Sequence, residues 1–245
     1  MNTVGNRVIL CGGWTTRTSC IELLQNETWS HHSTTLLWRA EHSSAVVGGK
    51  LLLAGGGFVG VSSAELLEPP NTWTALPSPG LDKDYSSDAC IVPVNNTSFI
   101  TVGGGDEYSR DVTLHHLDGT QEELAPLRVG RAGHGCTVVN TETSTLIVVA
   151  GGWTSDTWAS TSTEVYSVQD NRWEDGGHLN TGRCGHRMIT VENKKILAMG
   201  GWDNTRNRTK SVEEYDIESG TWSYTREMKV ARVYHAITAV EGVCN

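Results

Sequence analysis

Long apolar runs are missing from this 245-residue chain, whose strand-like stretches span only a few residues, far short of a membrane-crossing helix. The opening MNTVGNRVIL lacks both the charged and the apolar region of an export signal, so a soluble chain is expected and an intracellular location is favoured. Basic residues are outnumbered, 19 against 28 acidic ones, and the net charge of −9 opposes nonspecific attraction to nucleic-acid phosphates and anionic lipids. Neither nucleic acid nor membrane is expected as a partner; a basic protein fits better. No long Ser/Gly- or Pro-rich stretch divides the chain, so one domain is expected over 1–245, monomeric in isolation. The six cysteines (Cys11, Cys20, Cys90, Cys136, Cys184, Cys244) show no CxxC spacing, which removes support for structural zinc. Isolated buried thiols are expected, although Cys11 and Cys20 could face each other across a hairpin. Catalytic fingerprints are missing as well: there is no GxSxG elbow, no P-loop and no dinucleotide motif. Neither an enzymatic role nor a cofactor is expected.

What the chain has in quantity is glycine, at 27 residues, and it comes in phase. Doublets at Gly12-Gly13, Gly55-Gly56, Gly103-Gly104, Gly151-Gly152 and Gly200-Gly201 recur after 43, 48, 48 and 49 residues, the spacing of a repeat protein. Each closes an apolar strand-like run, from VILCGG to ILAMGG. Around each doublet lie short alternating segments separated by Gly, Asn, Asp and Ser, which read as a four-stranded antiparallel meander. In the third strand an acidic residue recurs as Glu22, Glu65, Glu164 and Glu213. At the fourth, tryptophan recurs as Trp29, Trp73, Trp173 and Trp222, large rings suited to filling the gap between sheets.

Strand, doublet, loop, Glu with Tyr or Leu, Trp, then Arg before the next strand resembles the kelch repeat, the blade of kelch-type propellers. The resemblance covers nearly the whole chain. It implies an all-β propeller of four-stranded antiparallel blades, and the count gives five: 7–33 with 233–243, then 41–79, 87–124, 133–176 and 185–226. On this count the C-terminal strand from His235 completes the N-terminal blade and closes the ring.

The start of each inner strand reads RAEH (Arg39 to His42), YSSD (Tyr85 to Asp88), RAGH (Arg131 to His134), RCGH (Arg183 to His186) and RVYH (Arg232 to His235). His42, Asp88, His134, His186 and His235 are thereby expected around one channel mouth. The residues after the doublets, Trp14, Phe58, Asp106, Trp153 and Trp202, should line the same mouth. In peptide-binding kelch propellers such positions contact ligand. Arg39, Arg131, Arg183 and Arg232 are expected to be structural, pairing within the blade with Glu65, Glu164, Glu213 and Glu22. The third unit lacks both partners, with Tyr85 and Val112 in their places, so Asp88 and Asp106 are candidate specificity determinants. Four imidazoles and a carboxylate could ligate a transition metal, but opposite walls of a five-strand channel stand too far apart for one tight site. The expected function is a protein-interaction module that grips a partner peptide or loop at the rim. The alternative is a lectin-like or small-ligand propeller, in which tryptophan faces stack on the ligand.

Overall fold

The structure is a computed structural model that describes residues 2–4, 7–13, 18–24, 27–40, 42–56, 64–69, 71–76, 88–105, 108–141 and 143–238. Five antiparallel four-stranded sheets form a five-bladed propeller. The first contains β1 (Asn2–Val4), β2 (Arg7–Cys11), β3 (Ser19–Leu23) and β4 (Trp29–Thr34). The second contains β5 (Ser43–Val47), β6 (Lys50–Ala54), β7 (Ala64–Glu68) and β8 (Thr72–Leu76). The third contains β9 (Cys90–Asn95), β10 (Ser98–Val102), β11 (Val112–His116) and β12 (Gln121–Glu123). The fourth contains β13 (Gly135–Asn140), β14 (Thr145–Ala150), β15 (Ser162–Ser167) and β16 (Arg172–His178). The fifth contains β17 (Arg187–Val191), β18 (Lys195–Met199), β19 (Val212–Asp216) and β20 (Thr221–Tyr224).

Apolar side chains on both faces of these sheets pack against the neighbouring blade, as twisted sheets without helices must. Ile9 and Cys20 meet Leu51 and Trp73 between blades one and two. Leu52 meets Phe99 in the next seam, Val102 meets Ile147 and Trp173 in the third, and Val148 meets Ile196 and Trp222 in the fourth. Three of the repeated tryptophans also hydrogen-bond into the preceding blade or the linker after it: Trp73 to Ser33, Trp173 to the Ala125 carbonyl, Trp222 to Thr163. Trp29 does not fill a seam; it is 44% exposed, and among the described residues no buried apolar cluster joins the fifth sheet to the first.

The closure differs from the one expected. The inner strand of the first sheet is Asn2–Val4, paired antiparallel with Arg7–Ile9, and not the C-terminal segment. A partner a few residues away closes a far smaller loop than one over 200 residues distant, so the local hairpin forms at lower entropic cost. The C-terminal segment lies alongside instead: the Arg232 carbonyl accepts from Gly201 of blade five, and Thr238 hydrogen-bonds Thr3 of blade one. Residues 239–243, also assigned to that strand, lie outside the described residues.

The cysteines are a second difference. Cys11 and Cys20 stand opposite each other on β2 and β3 with Cα atoms 4.0 Å apart, and Cys90 and Cys136 stand on adjacent inner strands 6.0 Å apart; both pairs are disulfides. Spacing along the chain carries no sign of the second pair, which the blade packing brings together. Cys184 remains a buried thiol.

Candidate functional site

The doublets set the geometry of one face. The second glycine of a blade donates its N–H to the carbonyl of the arginine that opens the next: Gly13 to Arg39, Gly104 to Arg131, Gly152 to Arg183 and Gly201 to Arg232, at 2.8–2.9 Å. The first glycine clears the way. A Cβ on Gly103 would stand 2.6 Å from the Arg131 oxygen and 2.9 Å from Cε1 of His134.

Each arginine then turns its side chain into its own blade. Arg131 reaches Glu164 at 2.7 Å and the Gly151 carbonyl at 2.7 Å; Arg39 binds Glu65 and the Gly55 carbonyl, and Arg183 binds Glu213 and the Gly200 carbonyl. The carboxylates are fully engaged, because each also accepts two main-chain N–H groups of the incoming linker: Leu36 and Leu37, Arg128 and Val129, Asn180 and Thr181. This hub folds the linker onto the blade it enters. Blade one is built otherwise, since Glu22 pairs with Arg7 and Arg232 is exposed.

The ring histidines are spacers between blades. His42, His134, His186 and His235 each point Cε1 at the first doublet glycine of the preceding blade: Gly12, Gly103, Gly151 and Gly200. His134 and His186 are buried, at 3% and 0% exposure, and cannot present their rings to a ligand from solvent. Burial, with smaller contributions from Arg39, Arg131, Arg183, Arg187 and Arg232, pushes these imidazoles down: His42 and His134 to about 3, His235 to about 4, and His186 well below the usual value. All four are neutral at physiological pH.

Strand register moves Asp88 out of the histidine position. Cys90 opposes Val102 just before its doublet, as Gly135 opposes Ala150 and Arg187 opposes Met199, so Ala89 occupies the place of His134 and His186. Asp88 instead corresponds to Gly133, Gly185 and Tyr234. All four adopt left-handed backbone, φ 58°, 58°, 61° and 49°, and carry a chain of N–H···O bonds round the mouth: Tyr234 to Gly185, Gly185 to Gly133, Gly133 to Asp88. Left-handed geometry is natural for glycine and tolerated by aspartate, but unusual for tyrosine. Sequence alignment without a gap conceals this one-residue offset.

The next position along the inner strand was not singled out by sequence. It reads Ser43, Cys90, Gly135 and Arg187, three small residues and one arginine, with Ala236 following His235 in the C-terminal segment. In the first seams this side chain meets the neighbouring inner strand: Ser43 donates to the Ala89 carbonyl, Cys90 bonds Cys136, and Gly135 leaves space for Met188. Arg187 lines the axial cavity of about 910 Å³, together with His42, Asp88, His134, Arg232, Tyr234 and His235. Its charge is felt by His42, His134, His186 and His235 and by Asp88, so the guanidinium lies near the axis. Burial lowers its own pKa, while Asp88 and Tyr234 act to raise it.

Above the cavity stands an aromatic group. Trp153 is held by a two-bond bridge to Ala132 and lies over Gly133; its ring makes an edge contact with Trp158 at 5.7 Å and a tilted one with Tyr234 at 6.3 Å. Trp202 is bridged to Cys184 in the same way. Arg206 covers the Trp158 ring at 4.6 Å and Arg208 the Trp202 ring at 5.1 Å. Trp158 and Tyr234 are each 40% exposed, and Leu36, Tyr108, Val129 and Val230 are exposed in loops of the same face. Trp158 and Tyr234 went unmarked in the sequence because one sits inside a variable loop and the other where two blades have glycine. Trp14, Phe58 and Asp106 lie outside the described residues.

Residues 182–229, the whole fifth repeat, match the Kelch motif. This motif and the five-bladed fold together support a kelch-repeat reading. Among solved structures, this five-bladed propeller is similar to a fungal alcohol oxidase of the AA5 family in complex with copper, with a TM-score of 0.75 and 18% identity. The match covers 94% of this chain but 53% of that one, so the propeller spans about half the length of its structural relative. No curated protein sequence matches it. At this identity the likeness is one of fold. It nevertheless overturns the flat expectation that the chain has no enzymatic role, because the same scaffold carries an oxidase. Among the described residues no three His, Cys, Asp or Glu side chains converge to hold an ion, and the ring imidazoles point at the doublet glycines in the seams.

Proposed function

We propose that this kelch propeller is a protein-interaction module that receives a partner peptide or loop on the doublet face, over the channel mouth. The observation that carries the reading is the aromatic group Trp153–Trp158–Tyr234, mounted on bridged backbone beside an open cavity. Partly exposed aromatics on a rigid rim supply large contact area at small entropic cost, the character of interface anchors. In blades four and five the long loops between second and third strands, 151–161 and 200–211, also lie on this face, whereas the opposite face has short turns such as Gly48-Gly49 and Asn96-Thr97. A saccharide reading is weaker, because arginines already cover one face of Trp158 and of Trp202, the surfaces on which a sugar ring would stack.

The test is selection of short random peptides on the wild-type protein, followed by affinity measurement on Trp158→Ala and, as control, Trp29→Ala on the far side. Loss of about tenfold or more in the first alone is expected. Equal affinity for Trp158→Ala, or no selected peptide at all, overturns the proposal.

A further inference from the structure

Four Asn-x-Ser/Thr triplets occur in the chain, at Asn26, Asn95, Asn96 and Asn207, and the proposed function uses none of them. Asn26 lies outside the described residues. The other three differ in what their amide and hydroxyl groups do. Asn95 ends β9 and stands with Asn96 and Thr97 in the exposed turn to β10, on the face opposite the doublets. Its Oδ1 accepts both the N–H and the hydroxyl of Thr97, at 2.8 and 3.1 Å, while its Nδ2 has no hydrogen-bond partner among the described residues. Amide and hydroxyl of one triplet are thus held together with the nitrogen free. The triplet of Asn96 is built otherwise: Ser98 is 1% exposed, its hydroxyl is hydrogen-bonded to Nδ1 of His116, and the Asn96 main-chain oxygen lies where a Cβ on Gly48 of blade two would meet it. At Asn207 the Nδ2 donates to the Thr205 hydroxyl at 2.8 Å and the Thr209 hydroxyl donates to Ser211 at 2.9 Å, so both groups are engaged elsewhere in their loop.

We infer that Asn95 is an N-glycan acceptor. The step is a glycosyl transfer from a lipid-linked glycosyl diphosphate: Nδ2 of Asn95 bonds to the anomeric carbon, the bond from that carbon to the phosphate oxygen breaks, the diphosphate leaves on its lipid, and the amide nitrogen gives up one proton. The chain is the substrate; donor and transferase belong to the cell that makes it. The Asn95–Thr97 contacts span two residues and need only the turn, whereas the Ser98–His116 bond needs the assembled β10–β11 pair. Asn95, Asn96 and Thr97 are all exposed, so a bulky polar glycan displaces no packed side chain. Cys11–Cys20 and Cys90–Cys136 support the setting, because disulfides form and persist in oxidising compartments, among them the lumen in which N-glycans are added. The position also leaves the rim open. A glycan on Asn95 stands on the face away from Trp153, Trp158 and Tyr234, whereas one on Asn207 would stand between Arg206 and Arg208, which lie on the Trp158 and Trp202 rings. The inference stands independently of the proposed function.

The experiment uses the full chain, captured by antibody from the cells that naturally make it. Release with peptide N-glycosidase in heavy-oxygen water, followed by fragment mass mapping, should convert the Asn95 amide to a labelled carboxyl and leave Asn207 unlabelled; a digest without the enzyme gives the background of spontaneous deamidation. A chain labelled nowhere above that background, or labelled at Asn207 with Asn95 bare, overturns the inference. Variants made in the same cells divide Asn95 from Asn96. Asn96→Gln keeps the Asn95 triplet and should keep the glycan. Asn95→Gln and Thr97→Ala should lose it, although both retain the triplet from Asn96 to Ser98. Thr97→Ser, which keeps a hydroxyl at that position, should recover it. A glycan lost in Asn96→Gln but retained in Thr97→Ala would lie on Asn96 and overturn the assignment to Asn95. All four variants alter an exposed turn, so they should melt together with enzymatically deglycosylated wild type, which separates a missing glycan from a missing fold.

Discussion

The N–H of Gly104 donates to the carbonyl of Arg131 in the next blade at 2.9 Å, and this bond explains why the repeat needs two glycines and not one. Gly104 makes the bond; Gly103 leaves room for its acceptor and for the His134 ring. Both have positive φ, 98° and 57°. The doublet is therefore a latch between blades, and the same arrangement recurs at Gly13, Gly152 and Gly201.

Gly103→Ala should be far more damaging than Gly49→Ala. Both positions are left-handed, at φ 57° and 76°, so both incur the backbone cost of roughly 1–2 kcal/mol. Around Gly49 there is nothing within 4 Å, whereas a methyl on Gly103 meets main-chain oxygen. A total loss of about 3–5 kcal/mol is expected at Gly103, adding overpacking to the backbone cost. Urea unfolding of the two variants checks this; equal losses would show that the latch is not where stability resides.

Arg131→Ala should unfold the protein more readily than any surface ion-pair variant. It leaves Glu164, 4% exposed, without its guanidinium, and breaking a buried pair from one side costs about 3–5 kcal/mol. Lys50→Ala, which removes the half-exposed Lys50–Glu68 pair, should cost less than about 1 kcal/mol. Replacing both partners, Arg131→Met with Glu164→Leu, should recover only part of the loss, because Arg128 and Val129 would then lack their acceptor. An Arg131→Ala melting curve matching wild type would refute the hub.

How far the sequence could be read follows from what repeats. The doublets, the arginines and the third-strand glutamates are spaced by the blade itself, so strand count, blade count and the pairing of Arg39 with Glu65 were legible. Features that depend on contact between blades were not. The offset of Asp88 is one residue in a linker and shows only when Cys90 is seen opposite Val102. Cys90 and Cys136 are brought together by packing of two inner strands. Arg187 escaped notice because it follows the motif's last residue. The first blade's inner strand, Asn2–Val4, is too short to carry an alternating pattern.

Stability should fall as the solution is acidified from neutrality. His42, His134 and His235 titrate near 3 to 4 in the folded chain, and burial holds His186 well below its usual value, against about 6.5 when unfolded. His115, stacked on Phe99, is likewise lowered to about 4 by burial. Between these values the unfolded state binds more protons, so unfolding free energy rises with pH. The contribution is complete above about 6.5 and is lost as pH falls toward 3–4, by up to about 1.4 kcal/mol per pH unit for each imidazole. Melting temperatures from pH 7 to 5 should drop steeply, and less so in His134→Gln. A flat profile over this range would mean that the imidazoles are not buried as neutral rings.

The disulfides make stability depend on redox state. Cys90–Cys136 closes a 46-residue separation across a blade seam, and Cys11–Cys20 one of 9 within a blade. Constraint of the unfolded chain gives upper figures of about 4 and about 2.6 kcal/mol, so opening the first should matter more. Cys184 should stay unlabelled by iodoacetamide in the native state, since burial, aided by Asp88 and Asp203, pushes its thiol up to about 12. Protein refolded in oxidised glutathione should therefore melt higher than protein held in dithiothreitol, and Cys90→Ser with Cys136→Ser should remove most of the difference. If the oxidised and reduced forms melt together, or if alkylation finds Cys90 and Cys136 free after oxidative refolding, the covalent staple between blades three and four is absent and the seam is held by Val102, Ile147 and Trp173 alone.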